Sequence, residues 1–428
     1  MVAIAKALGA RSLHDLYRFA DAASGPACGD AESGPEMGWG RGIRRAAALA
    51  VEIAAIASLG YTAAAIACSA QFARRERETA EKQPPVTLLV PLRGAEPLLE
   101  ENLRAFAEQN YPELQLVFGV AHADDPALPI ARAVADALPH RRIDIDIGET
   151  SGARNPKLAN VLSMMRLVRH TTLILADSDT RVDADYVRAV TAPLQQAEIG
   201  AVTCLFAGVP DGTFASQLGA MFMNEQFIPS ALVDRLFGPL RHCFGPTNAF
   251  RAAVLQSIGG FEALAPHLAD DFMLGHFIAQ RGLRVVISKY VIRTMVSEAN
   301  LVALWEHELR WHRTIRGLQP AGYAGMFLTF PVPLALLALA LAPKRAPALV
   351  LAATAIIARI ALQRVAANAL GVPPAALWLI PARDCFGLAV WARGLTGHNV
   401  SWRGAALQMA AGDLLEARTP APPDPKGA

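Results

Sequence analysis

The sequence predicts an α/β domain with a mainly parallel sheet, joined at both ends to helices that lie in a membrane. Short apolar runs alternate with helical patterns from residue 86 to about residue 300, and strands that alternate with helices form parallel sheets. Long apolar segments flank this region on both sides. The chain has 53% hydrophobic and only 18% charged residues, an excess of apolar side chains that a bilayer can bury.

Charge and cysteine content narrow the class of protein further. The 428 residues carry a formal net charge of only +2, which gives no support to a nucleic-acid partner. The five cysteines are far apart and include no Cys-x-x-Cys pair. We therefore expect free thiols in a reducing compartment, with neither a disulfide framework nor a zinc site.

The N-terminal part of the chain divides into two segments. Residues 1–45 are rich in small residues with scattered charge and lack the apolar core of a signal peptide, so we expect them to be poorly ordered. Residues 46–70 are almost continuously apolar, interrupted only by Glu52, and are long enough as a helix to cross about 30 Å of hydrocarbon. Arginines flank both ends and do not orient this helix. The alternative is a buried, alanine-rich core helix.

The α/β domain is expected over residues 84–320. Its predicted strands are 86–90, 114–120, 143–147, 172–176 and 201–206, and its predicted helices include 98–109, 130–137 and 156–168. Ligands of parallel sheets bind beyond the carboxyl ends of the strands. Polar residues that directly follow a strand are therefore the first place to look for a site.

Apolar composition returns after the domain, in segments that we expect to be two or three spanning, tilted or re-entrant helices. The segments are 327–342, 346–362 and 375–392. The last two contain charged residues, Arg359, Arg383 and Asp384, which are rare in the middle of a membrane. Residues 393–428 form a C-terminal segment whose Pro-rich end we expect to be disordered.

Two acidic motifs are candidates for chemistry. Asp177-Ser178-Asp179 directly follows the 172–176 strand, and its hard oxygen ligands suit Mg²⁺ or Mn²⁺ bound to substrate phosphates. Asp270 and Asp271 precede an apolar helix, and a carboxylate there is placed to take a proton from an acceptor hydroxyl. The alternatives are local, because aspartate and serine also favour turns and helix N-termini.

A basic, aromatic helix is predicted over residues 301–316, next to the first C-terminal apolar segment and therefore at the membrane surface. Its Arg310 could pair with a diphosphate through the guanidinium fork. Alternatively, Arg310 and Trp311 are interfacial anchors. The Met- and Phe-rich residues 222–240 form either a lipid-facing groove with this helix or ordinary core.

The order of these motifs resembles that of a known group of enzymes. An Asp-x-Asp turn, an Asp-Asp pair, an Arg-Trp pair and then membrane helices are similar to family 2 and family 21 glycosyltransferases, over about residues 84 to 330. The resemblance implies a GT-A fold. Shorter motifs resemble the lipid-glycosylating branch, closest to the hopanoid-biosynthesis and ceramide-glucosyltransferase groups: Gly94-Ala95-Glu96-Pro97, Gln109-Asn110-Tyr111-Pro112, Asn155-Pro156-Lys157 and residues 307–316.

The resemblance implies an inverting sugar transfer from a UDP-sugar. Asp179, supported by Asp177, would hold Mg²⁺ or Mn²⁺ on the donor diphosphate. Asp271 would deprotonate the acceptor hydroxyl, with Asp270 as the second choice for that role.

The same resemblance assigns the remaining residues. Arg310 would offset the diphosphate charge, Trp311 would form a wall of the acceptor channel, and Glu96 and Lys157 would contact the nucleotide or its phosphates. Two positions depart from the family pattern. Glu96 stands where the family has an aspartate, and His307 stands where the last motif usually begins with glutamine or arginine.

The resemblance also implies substrates and location. The expected reaction moves N-acetylglucosamine to a membrane lipid hydroxyl, such as that of a hopanoid polyol. The alternatives are a ceramide glucosyltransferase that uses UDP-glucose and, from another class, an inactive membrane scaffold with a GT-A fold. We expect a multi-pass protein of the bacterial inner membrane with its catalytic domain in the cytoplasm, where nucleotide sugars are found.

Overall fold

A computed structural model of the chain describes residues 35–80, 82–148, 153–342, 345–397, 399–402, 405–409 and 415–416. Most of the predicted poorly ordered segment 1–45 and the Pro-rich end of the chain lie outside these residues. Residues 35–45 lie inside them and form the start of a helix. A proline is well tolerated in the first turn of a helix, and the helix then continues without interruption into the alanine-rich apolar run.

Helix α1 (Pro35–Ala73) connects the membrane region to the α/β domain. Its residues Arg44–Ala73 are long and apolar enough to cross a bilayer. Its C-terminal half enters the core of the domain, where Ala65 and Phe72 are buried. The 46–70 segment is thus a longer helix than predicted, exposed over its first part and packed against protein over its last part.

The domain contains an eight-stranded sheet whose strands alternate with helices. Its first half consists of β1 (Val86–Leu92), α2 (Leu99–Ala107), β2 (Leu114–Val120), α3 (Ala127–Ala137), β3 (Arg142–Ile147), α4 (Pro156–Met164), β4 (Thr172–Ala176), β5 (Thr180–Arg181) and α5 (Tyr186–Thr191). Its second half consists of β6 (Ile199–Pro210), α6 (Phe214–Phe222), α7 (Ile228–Asp234), β7 (Thr247–Arg251), α8 (Ala252–Ser257), α9 (Asp270–Gln280), β8 (Arg284–Val296) and α10 (Leu301–Leu318).

The strand order is β3-β2-β1-β4-β7-β6-β8-β5. The pairs β1–β2, β2–β3, β1–β4 and β6–β8 are parallel, whereas β4–β7, β6–β7 and β5–β8 are antiparallel. The predicted α/β class with a mainly parallel sheet is confirmed, and the sheet is mixed because β7 and β5 run opposite to the other strands. β7 and β8 were not among the predicted strands.

Burial explains which strands were easy to predict. β2 and β4 are buried along their whole length, and β1 nearly so, and a strand covered on both faces forms a continuous apolar run. β7 has the sequence Thr-Asn-Ala-Phe-Arg, and its polar side chains interrupt the apolar pattern that predicts a strand. β8 is long and rich in β-branched residues, but it is only alternately buried and contains charged residues.

Helices α6 and α7 follow each other without a break, because a π-helical turn, Met223–Phe227, joins them. Phe222 and Leu240 are buried in this region, which confirms the core alternative for much of the 222–240 segment. Leu236 and Phe237, at the loop that follows α7, are 60% and 74% exposed. They are the part of the segment that is free to contact a lipid or another protein.

The C-terminal region packs around α1 and α10. It contains α11 (Pro320–Gly325), α12 (Pro331–Leu341), α13 (Arg345–Leu370) and α14 (Leu379–Gly394), followed by a three-stranded antiparallel sheet of β9 (Asn399–Trp402), β10 (Ala405–Met409) and β11 (Leu415–Glu416). Among the described helices, α13 is the second that could cross a bilayer, and residues 320–341 form a pair bent by 68° that could provide a third crossing.

The close contact between α9 and the segment before β7 generates a stability prediction. A Cβ atom at Gly275 would lie 2.4 Å from the carbonyl carbon of His242 and 2.5 Å from the nitrogen of Cys243. Gly275→Ala must therefore push backbone away from backbone, and overpacking of this kind costs about 1–3 kcal/mol. We expect a lower melting temperature in detergent for Gly275→Ala.

The matched control is Gly60→Ala in α1, where no atom lies within 4 Å of the added Cβ. Because alanine favours a helix over glycine, this variant should melt at the wild-type temperature or slightly above it. Equal melting temperatures for the two variants would contradict the packing described here.

Candidate active site

The Asp177-Ser178-Asp179 turn begins where β4 ends, at the carboxyl edge of the sheet. The Asp177 amide donates to the Pro246 carbonyl oxygen at 3.1 Å, which ties the turn to the segment before β7. The Ser178 hydroxyl donates to Glu96 Oε2 at 2.6 Å. The turn therefore has a defined position, and Glu96 from the β1–α2 loop lies against it.

Lys157 links the two acidic motifs. Its Nζ lies 2.7 Å from Asp177 Oδ1 and 3.6 Å from Asp270 Oδ2. Asn155 places this lysine, because its Oδ1 accepts hydrogen bonds from the amides of Lys157 and Leu158 and caps α4. The Asn155 amide group also donates to the His267 carbonyl oxygen at 3.0 Å and to Asp270 Oδ1 at 3.4 Å.

Asp271 faces Asp177 across Gly245. A Cβ atom built on Gly245 would lie 3.5 Å from Asp271 Oδ2 and 3.7 Å from Asp177 Oδ2, so both carboxylates point toward the same position. The Cys243 amide donates to the Asp271 carbonyl oxygen at 3.3 Å. The first turn of α9 is thus held against the segment that carries Gly245.

The acidic groups perturb one another. Burial raises the pKa of Asp271 to about 7, the neighbouring charge of Asp270 raises it as well, and Lys157 opposes both effects. Burial also raises the pKa of Asp270, which Lys157 lowers and Asp177 raises. Burial disfavours the charged form of Lys157, but the charges of Asp177 and Asp270 outweigh it and raise the pKa of the lysine. Strongly perturbed groups that face one another are typical of a functional site.

Trp311 lies in an aromatic cluster beside this edge. Its ring packs edge-on against Phe206, Phe222 and Phe227 with centroid distances of 6.2, 5.9 and 5.4 Å. Phe227 in turn contacts Phe244 at 6.0 Å, the residue before Gly245. The adjacent Arg310 lies on the same turn of α10 and is half-buried.

His307, at the position that departs from the family motif, has a defined partner. Its Nδ1 lies 2.5 Å from Glu298 Oε1, and its ring packs edge-on against Trp311 at 5.5 Å. The pair connects the start of α10 to the loop after β8. His307 therefore orients the helix that carries Arg310 and Trp311.

A cavity of about 330 Å³ borders α9 and the segment that leads to Gly245. It lies between the loop after α7, α9 and the end of α10. Its lining includes His242, Arg241, Phe272, His276 and Gln319. The rings of His242 and Phe272 are stacked at 5.1 Å.

The residues at the sheet edge fit a divalent cation that is completed by substrate. In the part of the chain that the structure describes, no three His, Cys, Asp or Glu side chains form a metal site by themselves. Asp177 and Asp179 offer hard oxygen atoms on alternate positions of one turn. Mg²⁺ and Mn²⁺ favour such oxygens, and Mg²⁺ is usually bound by one or two carboxylates together with substrate phosphates and water.

Three residues of this site were not among the predicted functional residues. Asn155 belongs to the Asn155-Pro156-Lys157 motif, but only its contacts in the folded chain show that its side chain bridges α4 and the Asp270 region. Gly245 precedes a proline, and a Gly-Pro pair signals a turn without naming what the turn faces. Ser178 sits between the two aspartates, and nothing local predicts that its hydroxyl holds Glu96.

Relatives with established names share part of this chain. Ceramide glucosyltransferase 1 of Caenorhabditis elegans is 20% identical over 238 residues, 55% of this chain and 51% of that protein. Ceramide glucosyltransferase 3 of the same organism is 23% identical over 236 residues, 53% of this chain and 50% of that protein. The chain thus spans about half the length of these curated relatives.

Solved structures show a looser likeness. A mannosyltransferase of Pyrobaculum calidifontis in complex with GDP-Man and Mn²⁺ superposes with a TM-score of 0.48 at 20% identity, covering 82% of this chain and 99% of that one. TarS of S. aureus, residues 1–349 with UDP-GlcNAc, has a TM-score of 0.37 at 15% identity, covering 78% of this chain and 99% of that one.

The family assignment rests on a match to most of the sequence. The α/β domain, with an acidic turn at the carboxyl edge of its sheet, has the GT-A-type architecture that the motif order implied. The family model described as "Glycosyl transferase family 21" matches residues 50–415. The chain therefore belongs to glycosyl transferase family 21.

Proposed function

We propose that the protein is an inverting glycosyltransferase that moves a sugar from a UDP-sugar to a hydroxyl of a membrane lipid. One observation carries the proposal. Asp177, Lys157, Asp270 and Asp271, which come from separate motifs, meet at the carboxyl edge of the sheet around Gly245. Family membership supports the same reaction type.

The donor is proposed to bind along the β1–β4 side of this edge. Asp177 and Asp179 would hold Mg²⁺ or Mn²⁺, which when bound offsets the negative charge of the donor diphosphate. Lys157 adds a cation at the same place, and Glu96, held by Ser178, is positioned to contact the nucleotide. Arg310 is proposed to add positive charge from α10.

Asp271 is the proposed general base. Asp270 is engaged by Lys157 and Asn155, whereas Asp271 points toward the space in front of Gly245. A base works best when its pKa is near the working pH, and the pKa of Asp271 is about 7. Asp271 would take the proton of the acceptor hydroxyl while that oxygen attacks the anomeric carbon and the bond to the diphosphate breaks.

The acceptor is proposed to be a lipid, either a hopanoid polyol that receives N-acetylglucosamine or, as the alternative, a ceramide that receives glucose. The apolar helices, two of which are long and apolar enough to cross a bilayer, would hold the domain beside a membrane, and the named relatives are ceramide glucosyltransferases. Trp311 is proposed to form part of the acceptor wall. The cavity beside α9, whose lining includes Phe272 next to Asp271, is the proposed place for the lipid head.

The location proposed is the bacterial inner membrane, with several crossings and the domain of residues 84–320 in the cytoplasm. The donor supports this orientation, since nucleotide sugars are cytoplasmic. Protection of this domain from protease added to the cytoplasmic side of vesicles would contradict it.

A transfer assay tests the function. Purified protein, Mn²⁺ and bacterial lipid extract are incubated with UDP-N-acetylglucosamine or UDP-glucose, and products are identified by mass spectrometry. We expect a glycolipid with the wild type and a loss of about 10²–10⁴-fold in rate with Asp271→Asn. Binding of the UDP-sugar should remain.

The control for this assay is Asp136→Asn, the same change at an exposed position of α3. It should retain full activity. Donor hydrolysis without any lipid product would contradict a lipid acceptor, and near-normal turnover by Asp271→Asn would show that another group is the base.

The pH dependence separates the two aspartates. Since the base must be ionised, kcat/KM should fall about tenfold per pH unit below the pKa of Asp271, near 7. The charge of Asp270 raises that pKa, so Asp270→Asn should move the acidic limb to lower pH while activity persists. Complete loss of activity in Asp270→Asn at every pH would instead make Asp270 the base.

Metal dependence tests the acidic turn. Asp179→Asn should raise the Mn²⁺ concentration that gives half-maximal rate, because it removes one of the two proposed carboxylate ligands. Asp185→Asn, at an exposed position a few residues further on, is the control and should behave as the wild type. An unchanged Mn²⁺ requirement in Asp179→Asn would exclude this aspartate as a ligand.

A further inference from the structure

The charged residues within the C-terminal apolar segments are completely buried. Arg359 on α13 and Arg383 and Asp384 on α14 each have 0% exposure. A buried charge is costly unless it is paired and hydrogen-bonded. Their partners lie on helices of the α/β domain as well as on each other, so these charges join two parts of the protein.

The contacts form a continuous chain from α13 to α10. Arg359 lies 2.9 Å from Glu225 in the π-helical turn after α6, and its Nε donates to Asp384 at 3.0 Å. The residue before Asp384 continues the chain, because Arg383 donates from Nη1 and Nη2 to the two oxygens of Glu308 at 2.5 and 2.8 Å. Such a two-pronged contact fixes orientation as well as distance.

Glu308 precedes the Arg310–Trp311 pair on α10 by less than one helical turn. Phe222 contacts both Arg383 and Trp311. The guanidinium carbon of Arg383 lies 5.4 Å from the centre of the Phe222 ring, and the centre of the Trp311 ring lies 5.9 Å from the same ring centre. The aromatic cluster around Trp311 continues through Phe227 to Phe244. The charged chain is therefore linked to Gly245 and the acidic site through the rings of Phe222, Phe227 and Phe244.

Stability alone is a poor explanation for these charges. Apolar residues of similar volume often replace a buried ion pair with no loss of stability, and in some proteins the buried polar group is retained because it specifies one arrangement of the helices. Here the contacts tie α10 to α14 and α14 to α13. A shift of about 1 Å in a group that lines a reaction site can reduce a rate about 10²-fold.

We propose that Arg383 and Arg359 are positioning residues: through Glu308 they set the place of Arg310 and Trp311 from the membrane helices. This inference rests on the proposed glycosyltransferase function. It assigns a role in turnover to charges that touch neither donor nor acceptor.

The test compares three variants with the wild type in detergent and in lipid vesicles. Arg383→Met leaves Glu308 buried without its partner, so its melting temperature should fall and its activity with it. The double variant Glu308→Met with Arg383→Met removes both charges and should regain a melting temperature close to that of the wild type. Arg364→Met, the same substitution at an exposed arginine of α13, is the matched control and should match the wild type.

Turnover in the double variant is the deciding measurement. We expect kcat to be about 10–100-fold below the wild type and the dissociation constant of the UDP-sugar to rise, because Arg310 no longer faces the diphosphate, although the melting temperature has recovered. Wild-type kcat in the stable double variant would overturn the proposal and leave the pair a purely structural role. If the double variant does not fold, Arg383→Lys is measured instead, because it keeps the positive charge but loses the two-pronged contact with Glu308. A wild-type kcat in Arg383→Lys would also overturn the proposal.

The outcome is separable from that of the proposed function. Absence of any glycolipid product from the wild-type protein would refute the glycosyltransferase proposal. A wild-type rate in the stable double variant, beside an active wild-type enzyme, would refute only the positioning role.

Discussion

The ion pair between Lys157 and Asp177 holds the acidic edge of this sheet together. Three carboxylates, Asp177, Asp270 and Asp271, converge on a partly buried space, where repulsion and burial both disfavour ionisation. Lys157 supplies a positive charge 2.7 Å from Asp177 and 3.6 Å from Asp270. This charge offsets the repulsion between the carboxylates. Asn155 caps α4 and thereby fixes the backbone position of Lys157 in the first turn of that helix.

The unequal environments of the adjacent aspartates follow from that arrangement. Asp270 takes the lysine and the Asn155 amide as partners, and its charge then raises the pKa of Asp271. Two neighbouring carboxyl groups thereby have different partners without any difference in residue type.

The membrane region is integrated with the domain and is more than an anchor. The C-terminal half of α1 contributes Ala65 and Phe72 to the main core, and Arg359 and Arg383 reach Glu225 and Glu308. In the sequence, Arg359, Arg383 and Asp384 are recognisable as unusual residues of apolar segments, but their partners are not. Hydropathy treats such residues as interruptions of an apolar segment, whereas in the folded chain they are its connection to the helix that carries Trp311.

The periodicity of apolar residues and the position of a motif after a strand are local properties, so the sequence alone can predict them. On this basis it predicted the α/β class, the strands β1, β2 and β4, the acidic turn after β4 and the apolar helices. β7 and β8 escaped because their polar side chains mask the apolar pattern of a strand. The meeting of Asp177 with Asp271, the bridge made by Lys157 and the pairing of Glu308 with Arg383 depended on the tertiary fold. Strand order and helix packing bring these groups together, and both depend on contacts between residues far apart in the chain, which no local pattern records.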